Sequence, residues 1–582
     1  MRYTKQIKQK DNLFMKDKIL HEKVEYKCVR EMIESVAELY GDRVALRFKN
    51  NPHDKECVTK SYVALRDDVR ALASELLARG YKGKHIVVLG KQTYSWIVTY
   101  FATMAMGAVL VPLDKDWGAI ELSDTVKTAD TSVIFCDKDQ KAKVAEICEN
   151  AGVDTVYYLD GEEGETIDML IASGRERFES DSASYFENEI DVDKLSLLVF
   201  TSGTTGKGKG VMLSQHNFCS DLADVIPYID FSVRTLNVLP PHHTYGSSVS
   251  IYGQLCIGCD IYISSGIKYI LKELQDHKPG HLVAVPLYVE TFYRRIVAGI
   301  KATGKEKLIY TLMKVSNVLR KVGIDLRRKL FGKILEPFGG ELNMIISGGA
   351  PLNQEVADLF DSIGVTVLNG YGITECAPII AVNHNHYIVP KSVGPVLPID
   401  DVKIDEPNED GEGEILVKGP NIMLGYYKND EATAEAFDED GYFRTGDYGK
   451  MVYDAKNDNR VLYITGRKKN LIILANGKNV YPEEIEDALS ATPGVLDLIV
   501  YEGKSRRGDT YNTIVMEVYP DPDFIKKNEI ADFKAYFQPF VNEYNKTATP
   551  YKKVGLVKVR DEEFPKNTLR KILRFKLDMT ID

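Results

Sequence analysis

The sequence predicts an α/β fold with mostly parallel sheets, followed by a β-rich unit and a small α+β unit. Three observations predict it. Short apolar runs alternate with amphipathic stretches through the first two-thirds of the chain, the pattern of βαβ crossovers. From about Gly394 the texture changes to short β-rich pieces separated by Gly and Asp turns, such as 402–405 and 413–417, which read as a small β-barrel or antiparallel sheet. Beyond Arg467 helical and strand patterns mix.

Residues 85–90, 132–136, 236–239, 281–286 and 344–347 read as buried strands. Residues 62–77 and 353–363 read as amphipathic helices. In the last unit, 482–490 and 530–544 read as helices, and 496–501 and 513–518 as strands. Residues 306–340 form a cationic, helix-favouring insert containing Arg320, Lys321, Arg327, Arg328 and Lys329, with a solvated helical face as its plain reading.

The composition fits an ordinary globular protein, with 582 residues, 44% hydrophobic and 27% charged. That length requires more than one core. A net charge of −11 argues against nucleic acid, since phosphate backbones demand a basic surface. Eight scattered cysteines give no disulfide framework, and Cys256 and Cys259 read as two buried thiols in a reducing, cytoplasmic setting. The uncharged run 93–113 is long enough to span a bilayer. Gly107 and the segment 109–113 instead suggest a helix handing over to a buried strand. The first eight residues are basic without the apolar run of a signal peptide. The basic first twenty residues read first as a frayed terminus, with weak peripheral contact to anionic lipid as the alternative.

The segment Thr201-Ser-Gly-Thr-Thr-Gly-Lys-Gly-Lys-Gly210 follows the apolar run 195–200. Four glycines let the backbone approach a ligand closely, while hydroxyls and two lysines supply donors and charge. This is a phosphate loop. The ordinary P-loop frame counted from Gly203 places Gly210 where a metal-binding hydroxyl belongs, so a P-loop NTPase is disfavoured.

Further segments follow in order: 239–246 with His243, 347–352, 369–375, 441–447, 466–470 and 565–571. Together with the phosphate loop they resemble the signature motifs of the AMP-forming acyl- and aryl-CoA synthetases. That superfamily includes firefly luciferase and the adenylation domains of peptide synthetases. The resemblance spans 195–575, and inserts like 306–340 make the long-chain fatty acid–CoA ligase branch the most similar.

The resemblance implies a large N-terminal domain, 1–465, with a β-rich subdomain at about 394–465. A small mobile C-terminal domain, 466–582, would be hinged near Lys469. It implies ATP/AMP binding by Thr201, Ser202, Gly203, Thr204, Thr205 and Lys207, with Gly348, Gly349, Ala350 and Pro351 on the adenine side. Asn369, Gly370, Tyr371 and Thr374 would complete the nucleotide site, with Asp447 and Arg467 near the ribose. Glu375 would hold Mg²⁺, and Gly477 would face coenzyme A. Lys571 is the implied catalyst, with Thr374 on the α-phosphate and His243 at the acyl pocket. Arg570 stands where the family usually has glycine, and Lys566 is the alternative catalytic lysine.

The activity implied is ATP-dependent fatty acid activation through acyl-AMP, with transfer to coenzyme A. The alternatives are an acyl-carrier-protein acceptor, an aryl or short-chain acid, or a nucleotide sensor that has lost catalysis.

Overall fold

Period-two alternation within the strands decides where the cores lie. In strand His85–Leu89, Ile86 and Val88 join one buried cluster, while Val87 and Leu89 join another on the opposite face. Strands buried on both faces carry continuous apolar runs, so these segments lack the polar alternation of a half-exposed sheet. The computed structural model of the protein describes residues 19–201, 208–473, 479–504, 510–567 and 571–581. Ser202, Gly203, Thr204, Thr205, Lys207, Gly477 and Arg570 lie outside the described residues.

Two large mixed sheets dominate. A seven-stranded sheet runs Gly425–Tyr426, Lys209–Ser214, Leu195–Thr201, Val109–Leu113, His85–Leu89, Thr131–Cys136, Val156–Tyr158. An eight-stranded sheet places Met344–Ser347, His281–Ala284, Arg234–Asn237 and Asp260–Ile263 side by side and parallel at its centre. The uncharged run resolves into helix Tyr94–Ala105, buried along its whole length, followed by strand Val109–Leu113. No helix among the described residues is long and apolar enough to cross a membrane.

Local chemistry fixes the boundaries. Ser61 and Thr93 cap helices Tyr62–Ala78 and Tyr94–Ala105 through their hydroxyl oxygens. The strand expected over 281–286 stops at Ala284, because Pro286 opens helix Pro286–Ala302 and proline suits a first helical turn. After the histidine pair the chain forms a π-helix over Tyr245–Tyr252 that continues into the helix Gly253–Cys256. All eight cysteines are free.

From Gly394 the chain forms a five-stranded antiparallel sheet whose two edge strands, Gly394–Pro395 and Asp401–Asp405, are not hydrogen-bonded to each other. It is an open sheet. Residues 472–557 build a separate core around strands Val495–Lys504, Thr510–Pro520 and Val554–Val559, covered by helices Pro482–Ser490 and Phe533–Thr547.

Strand Thr366–Gly372 leads into the Thr374–Cys376 turn, and its last residue must be glycine. A Cβ at Gly372 would lie 1.9 Å from the Pro378 carbonyl oxygen, and Ile373 N–H already donates to that oxygen at 2.8 Å. Gly372→Ala therefore forces the turn apart. The expected loss is about 1–3 kcal/mol, read as a lowered midpoint in urea with an unchanged slope.

Candidate active site

The parallel strands of both large sheets end at one rim. The segments after them, 90–93, 114–117, 240–242 and 264–266, line a cleft of about 2620 Å³. Ligands of open α/β sheets bind at this carboxyl edge. Lys566, Asn567 and Phe575 line the same cleft from the C-terminal unit.

Beside it, the antiparallel hairpin Phe443–Asp454 and Asn459–Arg467 sets Asp447 opposite Arg467 in register. Arg467 Nε forms an ion pair with Asp447 Oδ1 at 2.8 Å, and Tyr371 Oη donates to Oδ2 at 2.7 Å. Asp447 is only 3% exposed. Burial pushes its carboxyl upward, and Arg467 and Tyr371 oppose the shift. The Asp447 carboxylate also raises the Arg467 guanidinium against the lowering effect of burial.

Glu375 sits in the turn Thr374–Cys376, where its Oε1 accepts from Tyr426 Oη at 3.0 Å. The Lys209 ammonium lies 4.6 Å from the centre of the Tyr426 ring. One lysine of the glycine-rich hairpin is thereby tied to Glu375 through a single tyrosine. Burial raises the Glu375 carboxyl, and the Tyr426 hydroxyl lowers it. Among the described residues no cluster of three or more His, Cys, Asp or Glu side chains could cage a metal. A single buried carboxylate fits Mg²⁺, which takes one or two carboxylates and completes its shell with phosphate oxygens and water.

Ser347, the last residue of its strand, is the register partner of Asn369 in the parallel neighbour Thr366–Gly372. Ser347 Oγ and Asn369 Oδ1 are buried and have no hydrogen-bond partner among the described residues. Such orphans call for a ligand or water. Next to them, a Cβ at Gly348 would lie 3.1 Å from the Tyr245 ring, and Gly349 has φ +84°, where glycine is favoured. Gly348, Gly349, Asn369 and Tyr371 thus share one corner with Asp447, and that corner offers unsatisfied polar groups to a nucleotide.

Lys571 is partly buried. Its ammonium is pulled down to about 8 by burial and by the Arg467 and Lys469 charges, against the pull of Asp447. Lys469, in the turn Lys468–Asn470, is lowered by burial and Arg467. Lys566 instead pairs with Asp497 at 2.5 Å and Glu563 at 2.9 Å. Of the two candidate lysines, only Lys571 joins the Asp447 cluster. His243 is pushed well below its ordinary value by burial, by His242 and by Lys571, so it is a neutral imidazole at pH 7. The His242 and His243 rings lie 4.4 Å apart, and His242 Nε2 is 3.7 Å from Asp114 Oδ2.

Three participants were not singled out by sequence. Tyr426 has no motif of its own. Asp114 follows directly on strand Val109–Leu113, and that strand-end position was its available signal. Glu483 lies in the first turn of Pro482–Ser490, accepts from Asn470 Nδ2 at 2.6 Å, and keeps Oε2 buried without a partner among the described residues.

Comparison with known proteins places this geometry. The family model described as AMP-binding enzyme matches residues 33–427. The chain belongs to that family. It is an adenylate-forming acyl ligase with an ATP site. A chloroplastic long-chain-fatty-acid–acyl-carrier-protein ligase of Arabidopsis thaliana is 29% identical, the alignment covering 83% of this chain and 75% of the relative. A long-chain-fatty-acid–CoA ligase of Mycobacterium bovis is 28% identical, covering 80% and 82%. The ATP-bound RpMatB–BxBclM chimera superimposes with a TM-score of 0.72 at 25% identity over 94% of this chain and 97% of its own.

Lys571 near 8 has a kinetic consequence. A catalytic role for the Lys571 ammonium predicts that kcat/KM for adenylate formation falls as pH rises through about 8 in the free enzyme. Lys571→Arg, whose guanidinium does not titrate in this range, abolishes that alkaline limb whatever its absolute rate. A pH–rate profile of pyrophosphate release checks both expectations.

Proposed function

We propose that this enzyme activates a fatty acid as its acyl-adenylate and transfers the acyl group to coenzyme A. In the first step a carboxylate oxygen attacks the α-phosphorus of ATP, and the bond to the bridging oxygen of the β-phosphate breaks. Pyrophosphate leaves. In the second step a thiolate attacks the acyl carbon, the bond to the phosphate oxygen breaks, and AMP leaves.

The observation that carries the reading is the cation cluster of Arg467, Lys469 and Lys571 around the buried Asp447 at the rim of the cleft. Arg467, Lys469 and Lys571 are set among the Asp447, Glu375 and Glu483 carboxylates, and cations held in place this way can meet the charge of a nucleotide phosphate. In this scheme Thr201–Gly210, including Ser202, Gly203, Thr204, Thr205 and Lys207, holds the β- and γ-phosphates, and Thr374 donates to the α-phosphate. Asp447 accepts from the ribose hydroxyls and Arg467 fixes Asp447. Gly348, Gly349, Ala350 and Pro351 flank adenine with Asn369, Gly370 and Tyr371. Glu375 holds Mg²⁺, whose chemistry is to neutralise charge shared between phosphates. Lys571 places its ammonium on the reacting oxygens. Neutral His243 borders the acid without adding charge.

The acyl chain would follow the apolar wall formed by the π-helix Tyr245–Tyr252 and helix Tyr94–Ala105. The fully buried Trp96, Tyr100 and Phe101 face Ser247 and Ile251 there. Lys469 is the hinge and Gly477 faces the pantetheine arm. The setting is the cytoplasm, within fatty acid metabolism. A second reading keeps the first step and hands the acyl group to a carrier protein, because one relative of 29% identity is named for that acceptor.

Pyrophosphate exchange across acids from acetate to oleate, aromatic acids included, tests the first step, and adding coenzyme A tests the second. Exchange strongest with long chains, together with acyl-CoA, supports the proposal. Exchange without thioester moves the acceptor to a carrier protein, and absence of exchange with every acid overturns the fatty-acid reading. Lys571→Ala should slow adenylation about 10²–10³-fold and spare thioester formation from supplied acyl-adenylate. Lys469→Pro should do the reverse, keeping adenylation and losing transfer.

A further inference from the structure

Outside the cleft, the strongest unexplained feature is the insert between strands His281–Ala284 and Met344–Ser347. It folds as helices Glu306–Arg320 and Arg327–Leu335, packed beside Pro286–Ala302. Residues 301–340 carry ten lysines and arginines against three carboxylates, in a chain of net charge −11.

The arginines and lysines divide the work. Arg320 and Arg327 pair with Asp361 at 2.6 and 2.8 Å, and Arg328 donates to the Leu342 carbonyl at 2.6 Å. These arginines fasten the insert to the body of the protein. Lys307, Lys314 and Lys321, seven residues apart, are exposed and have no ion-pair partner among the described residues. Directly after each comes an exposed aliphatic residue: Leu308, Val315 and Val322. Val318 and Ile324 extend the same strip, with Val318 63% and Val322 73% exposed.

Six of the 21 exposed large hydrophobic side chains among the described residues fall within 308–330. Scattered single apolar residues need no explanation, but a strip of them does. Helix Glu306–Arg320 buries Met313 and Ser316 against the protein, so its aliphatic strip is a second apolar face turned to solvent. An edge of lysines along aliphatic side chains suits an interface that is apolar below and anionic above, where lysine stems lie on the apolar side and ammonium groups reach the charge.

We infer that this insert docks the enzyme on an anionic lipid bilayer, with Leu308, Val315, Val318 and Val322 entering the headgroup boundary and Lys307, Lys314 and Lys321 contacting lipid phosphates. The inference stands on surface chemistry alone and holds whatever acid the cleft takes. It moves the membrane contact expected of the N-terminal residues to an ordered internal element.

The test is co-sedimentation of the full chain with vesicles of phosphatidylcholine, and with vesicles containing one-third phosphatidylglycerol. The wild type should bind the anionic vesicles, more weakly as salt rises. The triple variant Lys307→Glu, Lys314→Glu, Lys321→Glu should lose about tenfold or more in partitioning. Val315→Glu with Val318→Glu should lose a similar factor, and the control Lys526→Glu with Lys527→Glu should lose none. Unchanged thermal midpoints and pyrophosphate exchange establish that the variants are folded. No binding by the wild type, or binding unaltered in both insert variants, overturns the proposal. So does a wild type that ignores vesicles but crosslinks through this face to an acidic carrier protein.

Discussion

The buried pairing of Asp447 with Arg467 is the constraint on which the rest of the site depends. A carboxylate at this depth is tolerable only while both its oxygens are engaged, and Arg467 and Tyr371 engage one each. Removing one partner of such a pair typically costs about 3–5 kcal/mol, because the other charge stays buried. The chain continues from Arg467 straight into the turn Lys468–Asn470. Lys468 pairs with Glu414 of the antiparallel sheet at 2.6 Å, while Asn470 donates to Glu483 of the following helix. The segment joining the two folded units is therefore anchored on both sides of the acceptor carboxylate.

Charge balance at that junction explains the depressed ammonium of Lys571. Arg467 and Lys469 repel it, burial removes its water, and Asp447 alone attracts it.

Much of this was legible in the sequence, for identifiable reasons. Strands buried on both faces announce themselves as uninterrupted apolar runs, and 344–347 and 482–490 match their elements end to end. Gly349, with φ +84°, and Gly372, whose Cβ would meet the Pro378 carbonyl, both lie in segments the sequence singled out. Tyr426 and Glu483 escaped because their roles arise from tertiary placement: a tyrosine on a two-residue edge strand, and a carboxylate in a first helical turn. The insert was legible as cationic and helix-favouring. Its aliphatic strip was hidden because helix Glu306–Arg320 is apolar toward both the protein and solvent, so no single polar face stands out.

One short helix, Gln354–Ser362, brings these regions into mechanical contact. Gly348 and Gly349 lie a few residues before it. At its N-terminal cap, Asn353 Nδ2 donates to the Asp487 carbonyl of the C-terminal unit at 2.6 Å. At its other end Asp361 receives Arg320 and Arg327 of the insert. This helix of nine residues therefore contacts both the C-terminal unit and the insert. The ion pairs of Arg320 and Arg327 with Asp361 thus fasten the insert to the same short helix whose N-terminal cap meets the C-terminal unit.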